Sequence, residues 1–392
     1  MHDAASSYWP VRVAGHDWRI FVESAPFIQS LVADIRTAKQ RAWVEAYSFA
    51  DDAAGRAVSE ALRERAAAGI ECRVLYDAAG SYETPPAFFD ELRKAGIEVT
   101  AFRPLDGWWW KLWLWGKFQR RDHRKLSIID DRVGYFGGMN IVDQGGSLVL
   151  GTKREEHEAG QPPWRDVHVR MTGPQVRDII AAWDDLWSHL HNRKKPKRSD
   201  PEPRDLYRST DDAIFFFDAR PHVRHHRPGP MIKSLIDHSR TSIVLAMAYF
   251  LPFGGVLRAL QKARRRKVSV RVVVPENSDV PVVQWASRYA YERLLRRGIR
   301  IYERKERMLH SKVMIVDNEW SVLGSLNLDP RSLLLNLEFF AIVRSAELAT
   351  ALGEICREEF RQSKLVSLRD LRKRSWRERF LQSFAWTFKR WL

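Results

Sequence analysis

Two short stretches of this 392-residue chain carry residue types suited to chemistry. His123-Arg124-Lys125-Leu126-Ser127-Ile128-Ile129-Asp130 reads H-x-K-x4-D, and His310-Ser311-Lys312-Val313-Met314-Ile315-Val316-Asp317 repeats it. The echo continues at the same displacement, where Gly137-Gly138-Met139-Asn140 is answered by Gly324-Ser325-Leu326-Asn327. One imidazole can attack phosphorus as a neutral nucleophile. A second can protonate the leaving alkoxide and later take the proton of an incoming hydroxyl, and an ordinary pKa of about 6.5 suits both tasks. Lys125 and Lys312, with the amides of Asn140 and Asn327 and with Ser325, are candidates to hold the non-bridging oxygens. Such a set serves a phosphodiester without a metal or other cofactor. One H-x-K-x4-D arises easily by chance; two copies, each with the same downstream echo, suggest a single site built from two halves.

The elements that carry these residues are strands. Residues two apart on a strand share a face, so His123 pairs with Lys125 and His310 with Lys312. Asp130 and Asp317 complete the pattern and are counted with the catalytic set. Their parity is opposite to the lysines, however, and each leads into a hairpin turn, which points to a local structural role. A histidine nucleophile needs an acceptor for its other ring nitrogen. Asp166, in Trp164-Arg165-Asp166-Val167-His168-Val169, and Glu338, in Asn336-Leu337-Glu338-Phe339-Phe340, are acids in apolar strand-like context, where an unpartnered carboxylate is costly. They are the expected orienting groups.

Around the motifs the pattern alternates strand and helix. Strands are expected at 18–22, 42–49, 72–76 and 97–102, and helices at 27–39, 55–67 and 88–95. The second half repeats this with helices at 231–239, 256–262 and 285–297 and strands at 242–249, 268–274 and 299–302. The reading is an α/β chain of two repeats with largely parallel sheets. Val44-Glu45-Ala46-Tyr47 loosely matches Ala246-Met247-Ala248-Tyr249, and Arg73-Val74-Leu75 matches Arg271-Val272-Val273. The expected organisation is a first repeat over 1–190, a linker over 191–212, a second repeat over 213–365 and a tail over 366–392.

Whole-chain properties bound the partners. Apolar content of 45% is globular, and two cysteines, Cys72 and Cys356, exclude a disulfide framework. No signal peptide or membrane-spanning run is read. The net charge of +16 calls for an anionic partner, either nucleic acid or an acidic membrane surface. Sixteen tryptophans help to decide between them. Trp108, Trp109, Trp110, Trp113 and Trp115 crowd one lysine-bearing stretch just before His123, as interfacial aromatic residues do. Trp376, Phe380, Phe384 and Phe388 recur every four residues among Arg and Lys, the pattern of a basic helix lying on a membrane. A nucleic-acid groove would interleave its aromatics along the basic surface instead. The run from Arg220 to Arg227 holds three histidines, but it lacks regular ligand spacing and its arginines oppose a cation, so no metal site is assigned.

The paired motif resembles the phospholipase D superfamily. With Asp122-His123-Arg124-Lys125, Gly137-Gly138-Met139-Asn140, Trp164 to Arg170, Asn277-Ser278-Asp279-Val280-Pro281 and Gly324 to Ser332, the chain is most similar to bacterial cardiolipin synthases. It looks most like the B type, which lacks amino-terminal membrane helices. The likeness spans about residues 15–365. It implies two α/β repeats about a pseudo-twofold axis with the site at their interface. It also implies transfer of a phosphatidyl group from one phosphatidylglycerol to a histidine and on to a second, releasing glycerol, by a protein peripheral on the cytoplasmic side of the cell membrane. The first-copy histidine, His123, is then the usual nucleophile and His310 the acid and base; the residues alone leave that order open. Leu326, where many relatives carry a small residue, is expected to bear on the lipid pocket. The rival readings are a hydrolytic phospholipase D, a nuclease of the same superfamily, and a non-catalytic lipid-binding scaffold.

Overall fold

The computed structural model describes residues 8–104, 120–143, 163–191, 201–203, 205–208, 211–220 and 226–389. Trp108, Trp109, Trp110, Trp113 and Trp115 lie outside the described residues, as do much of the expected linker and positions 221–225. The chain divides into two compact units, Met1–Asp200 with Asn336–Phe339, and Pro201–Leu335 with Phe340–Leu392.

The first unit runs β1 (Trp9–Val13), β2 (His16–Phe21), α1 (Ser24–Arg36), β3 (Arg41–Ala46), α2 (Ala53–Ala67), β4 (Glu71–Asp77), α3 (Pro86–Lys94), β5 (Glu98–Phe102), β6 (Leu126–Ile129), β7 (Val133–Gly137), β8 (His168–Thr172) and α4 (Val176–Leu190). Its eight strands form one sheet in the order β1-β2-β8-β7-β6-β3-β4-β5. Both faces of β3 are covered. Ala42, Val44 and Ala46 join the apolar cluster that also holds residues of α1 and α2. On the other face Trp43 stacks on Trp183 of α4 at 4.5 Å. Burial on both faces explains the nearly continuous apolar run of this strand.

The second unit runs β9 (Ala213–Ala219), α5 (Pro228–His238), β10 (Ser242–Met247), α6 (Gly254–Arg265), β11 (Ser269–Pro275), α7 (Pro281–Leu295), β12 (Arg300–Arg304), β13 (Lys312–Val316), β14 (Trp320–Gly324), α8 (Pro330–Leu334), β15 (Glu338–Arg344), α9 (Ala346–Arg361), β16 (Ser363–Leu365), α10 (Leu368–Arg372) and α11 (Trp376–Thr387). Its sheet order is β16-β12-β11-β10-β13-β14-β15-β9. Leu326 is buried in this unit's apolar core, so its side chain fills core space rather than the lipid pocket expected for it.

The sheets are mixed, which corrects the largely parallel expectation. Crossovers through α2 and α3 lay β3, β4 and β5 parallel. The chain then returns through β6, antiparallel on β3, and β7 follows by a tight hairpin. The second unit repeats this, with β10, β11 and β12 parallel and β13 antiparallel on β10. Registers also correct one of the two sequence echoes. Val44 pairs with Ser127, and Leu245 pairs with Met314, the counterpart of Ser127. Val44 therefore corresponds to Leu245, not to Ala246. The looser match is one residue out, a slip that would turn every side chain to the wrong face. The second echo agrees, since Arg73 pairs with Trp43 and Arg271 with Val244.

Antiparallel pairing brings the start of each motif strand to the carboxyl ends of the parallel strands, the edge where open α/β sheets bind ligands. Asp130 and Asp317 lie at the opposite end. Asp130 Oδ1 accepts the backbone N–H groups of Lys39, Gln40 and Arg41 at 3.0, 2.8 and 3.2 Å. Asp317 accepts those of Arg240, Thr241 and Ser242 at 2.7, 2.7 and 2.9 Å. Their assignment to the catalytic set is thus corrected: each carboxylate ties the hairpin to the start of the neighbouring central strand. Both residues sit in left-handed backbone, at φ 51° and 56°.

Burial opposes the charge on both aspartates, but the backbone donors outweigh it and hold each carboxyl below its usual range. A depressed folded pKa contributes stability that is fully present above the unfolded value of about 3.9 and is lost as pH falls through the folded value. Asp130→Ala should cost about 2 kcal/mol in urea unfolding at neutral pH, because it strands three backbone donors. Asp130→Asn should cost less and should flatten the loss of stability below about pH 4. An acid limb unchanged in Asp130→Asn would remove the carboxylate from this role.

Candidate active site

In the first unit the residues before β6 are held by the four-residue segment that comes from far along the chain. Leu337 donates its N–H to Arg121 O at 2.8 Å, and His123 donates its own to Leu337 O at 2.9 Å. This ladder places Glu338, which is fully buried, with Oε2 3.0 Å from His123 Nδ1. The carboxylate accepts the Nδ1 proton, so the tautomer leaves a lone pair on Nε2. The His123 side chain keeps 12% of its surface exposed, enough for access. The Tyr47 ring stands edge-on to the imidazole at 5.2 Å. Lys125, almost wholly buried, donates to His123 O at 2.8 Å and lies 5.2 Å from the centre of the same tyrosine ring.

Strand parity sends Arg124 the other way. It is fully buried and donates to Glu45 Oε1 at 2.7 Å and to Ala182 O of α4 at 3.1 Å, with Asp122 at 3.3 Å. Burial raises the pKa of both acids, and Arg124 opposes that rise. One guanidinium between two buried carboxyls anchors the motif from beneath. Asp77, at the end of β4, accepts the Asp122 N–H at 2.9 Å, and burial pushes its carboxyl up to about 6. Sequence reading misses this support. A motif arginine reads as a solvated charge, and only the parity of His-Arg-Lys could have indicated that it points inward.

The glycines of Gly137-Gly138 are explained by close approach. A Cβ on Gly138 would lie 2.2 Å from Asp166 Oδ1, and one on Gly137 2.5 Å from His168 Cα. Asp166 accepts the Val167 N–H at 2.7 Å. His168, also unassigned from sequence, accepts the Met139 N–H on Nδ1 at 3.3 Å, and burial lowers its pKa to about 3, so it stays neutral. Asn140 accepts the Ser48 N–H on Oδ1 at 3.2 Å, which fixes its amide and leaves the NH2 group as the donor end.

The second unit repeats the arrangement. Lys312 donates to His310 O, and its ammonium lies against the ring, 2.6 Å from Nδ1 and 3.2 Å from Nε2. His310, Lys312, Ser325 and Asn327 are all buried. Asn327 Oδ1 faces the Tyr249 N–H at 3.4 Å, matching Asn140 and Ser48. Registers also relate the two acids. Gly137 pairs with His168, and Gly324 pairs with Phe340. Asp166 and Glu338 each stand two residues before these partners and so hold equivalent positions in the two units.

The expected single tail helix is two. Ser367 with Asp370 and Ser375 with Glu378 form capping boxes that start α10 and α11 separately. The Ser-x-x-Glu signal is present in the sequence. Both helices belong to the second unit, where α11 packs along α7. Gln382 and Ala385 are buried, and Trp386 stacks on Tyr289 of α7 at 5.2 Å. Trp376, Phe380, Phe384 and Phe388 face outward, 72, 63, 56 and 46% exposed. No helix among the described residues is long and apolar enough to cross a membrane.

Comparison with known proteins agrees with this geometry. The family described as "Cardiolipin synthase, PLD-like domain" matches residues 31–151 and 232–360, one segment in each half. The cardiolipin synthase of Halalkalibacterium halodurans is 30% identical over 354 residues, covering 89% of this chain and 67% of that protein. Cardiolipin synthase B of Salmonella typhi is 31% identical over 330 residues, covering 84% and 76%. Among solved structures, phosphatidylserine synthase of Haemophilus influenzae shares the fold, with a TM-score of 0.70 at 14% identity over 98% of this chain and 97% of that one. With two eight-stranded α/β repeats and a motif set in each, the chain belongs to the cardiolipin synthase family of phospholipase D-like proteins.

Proposed function

We propose that this chain is a cardiolipin synthase that moves a phosphatidyl group between two phosphatidylglycerol molecules, with its two motif histidines acting in turn on one phosphorus. The observation that carries the reading is the buried Glu338 carboxylate on His123 Nδ1, beside Lys125. His123 Nε2 attacks the phosphorus, the bond to the glycerol oxygen breaks, and His310 supplies that oxygen with its proton. The hydroxyl of a second phosphatidylglycerol then loses its proton to His310 and attacks the phospho-histidine, forming cardiolipin and freeing His123. Lys125, Lys312, the Asn140 and Asn327 amides and Ser325 hold the non-bridging oxygens. Asp166, equivalent to Glu338 by register, is the second orienting acid of the set.

The reading includes peripheral attachment to the cytoplasmic face of an anionic bilayer. Exposed Trp376, Phe380, Phe384 and Phe388 supply the apolar face of α11, and the exposed Arg369, Arg372, Lys373, Arg377 and Arg379 supply the charge. Each basic group near such a surface adds about 1 kcal/mol.

Incubation with phosphatidylglycerol vesicles should yield cardiolipin and glycerol. Phosphatidic acid alone would identify a hydrolase, and no turnover would return weight to a nuclease. His123→Ala or His310→Ala should abolish transfer in a chain that still folds, with a lowered thermal midpoint in His123→Ala because the buried Glu338 loses its ring partner; full activity in either rejects the two-histidine scheme. Glu338→Gln should lower kcat by roughly 10- to 100-fold with little change in KM, as loss of an orienting group does. Replacing Trp376, Phe380 and Phe384 together by Ser should weaken sedimentation with anionic liposomes and spare turnover of detergent-dispersed lipid. Undiminished sedimentation would exclude α11 as the attachment.

A further inference from the structure

Tyr249 lies just past β10 and belongs to neither motif, yet it meets three parts of the second unit's site. Its ring stands edge-on to His310, with centroids 6.1 Å apart and planes at 86°. Its N–H faces Asn327 Oδ1 at 3.4 Å. Its hydroxyl donates to Asp279, whose two oxygens lie 2.8 and 2.7 Å away.

The loop that carries Asp279 is itself fixed. Ser278 Oγ accepts the Val280 N–H at 3.1 Å, just before α7 begins. From within α7, Arg288 donates to Glu276 O at 2.8 Å and to Glu303 of β12 at 2.9 Å, and Gln284 also donates to Glu276 O. Glu276 donates its N–H to Arg304 O at 2.8 Å. The carboxylate that receives the tyrosine hydroxyl is therefore anchored to a helix and a strand.

The first unit gives an independent parallel. Tyr47 stands edge-on to His123, but from a different backbone position. The bridges Phe49 to Ile141 and Phe250 to Leu328 make Phe49 the counterpart of Phe250, and hence Tyr47 of Ala248 and Tyr249 of Ser48. Internal duplication alone does not put a tyrosine in both places. The shared feature is the ring beside the histidine.

We propose that Tyr249 and Asp279 are a positioning pair for His310: the ring walls one side of the imidazole, and the carboxylate holds the ring by its hydroxyl. A histidine that gives and then takes a proton at one atom must keep that atom aimed, and a displacement of about 1 Å can cost about 100-fold in rate. The proposal rests on the reading of His310 as acid and base.

The test uses the full chain with phosphatidylglycerol vesicles and three variants. Tyr249→Phe and Asp279→Ala should each lose about 10- to 100-fold in kcat, with KM changed less than about twofold. Asp279→Asn, whose amide oxygen still accepts the hydroxyl, should retain most of the wild-type kcat. The His310 ring signal, assigned in 15N-histidine NMR spectra by its absence in His310→Gln, should shift and broaden in the first two variants and not in Asp279→Asn. That arm needs no substrate: absence of cardiolipin formation by the wild-type chain defeats the functional reading, while the ring signal still tests the positioning. Wild-type kcat and ring signal in Tyr249→Phe would overturn the proposal. So would losses of kcat that merely follow losses in Tm, with Asp279→Asn as impaired as Asp279→Ala.

Discussion

The antiparallel ladder between each motif strand and its central parallel strand decides where every other group can go. Because β6 runs against β3, its first residues lie at the carboxyl ends of β3 and β4 and its last residues at their amino ends. One strand thus presents His123 and Lys125 at a ligand-binding edge and Asp130 at a structural one. The register is held by the Asp130 carboxylate over three successive backbone N–H groups. A one-residue slip would turn His123 and Lys125 to the face that Arg124 now occupies. The same logic governs β13 and β10, where Asp317 holds the hairpin.

A strand fixed in this way still leaves its imidazole free to turn, and the two faces of the motif address that differently. Beneath it, Arg124 with Glu45 and Asp122 makes a buried charge cluster, in which removing any one partner would strand another. Above it, Glu338 meets His123 at zero exposure. A carboxylate buried there would be costly alone, and its hydrogen bond to the ring both offsets that cost and selects the tautomer. The chain supplies this acid from a segment 215 residues further along, so the first unit's histidine is set by residues translated with the second half.

Much of this is legible in the sequence. Strand parity by itself separates His123 and Lys125 from Asp130, because a period of two is a property of the strand. Apolar context singles out Glu338 and Asp166 as acids needing partners. Which partner each meets is not legible, since it depends on the register of strands that are distant in sequence. Arg124 and His168 escape notice for a related reason: a charged or polar side chain shows its burial only once the elements on both faces are known. The mixed sheet is hidden because periodicity identifies strands without giving their direction. The Val44 echo reads one residue out because small apolar strands match one another at several offsets, whereas Arg73 and Arg271 carry a distinctive residue that fixes the alignment. In the tail, basic residues run on without interruption through 372–374 and hide the break at Ser375, which caps a new helix.

That break gives the tail a definite posture. A continuous basic helix could present any face, but α11 is held along one side by α7 through Ala385 and the stacking of Trp386 on Tyr289. Arg374, at the break, donates to Arg288 O of α7 at 3.1 Å. With that side fixed, the aromatic stripe has only its outward direction left. Four large apolar side chains exposed to water in this way carry a hydration cost that contact with apolar matter removes, and the cations beside them favour an anionic surface over a neutral apolar one. The same helix α7 begins directly after the loop that holds Asp279, so the face presented outward and the hydroxyl beside His310 are referred to one rigid element.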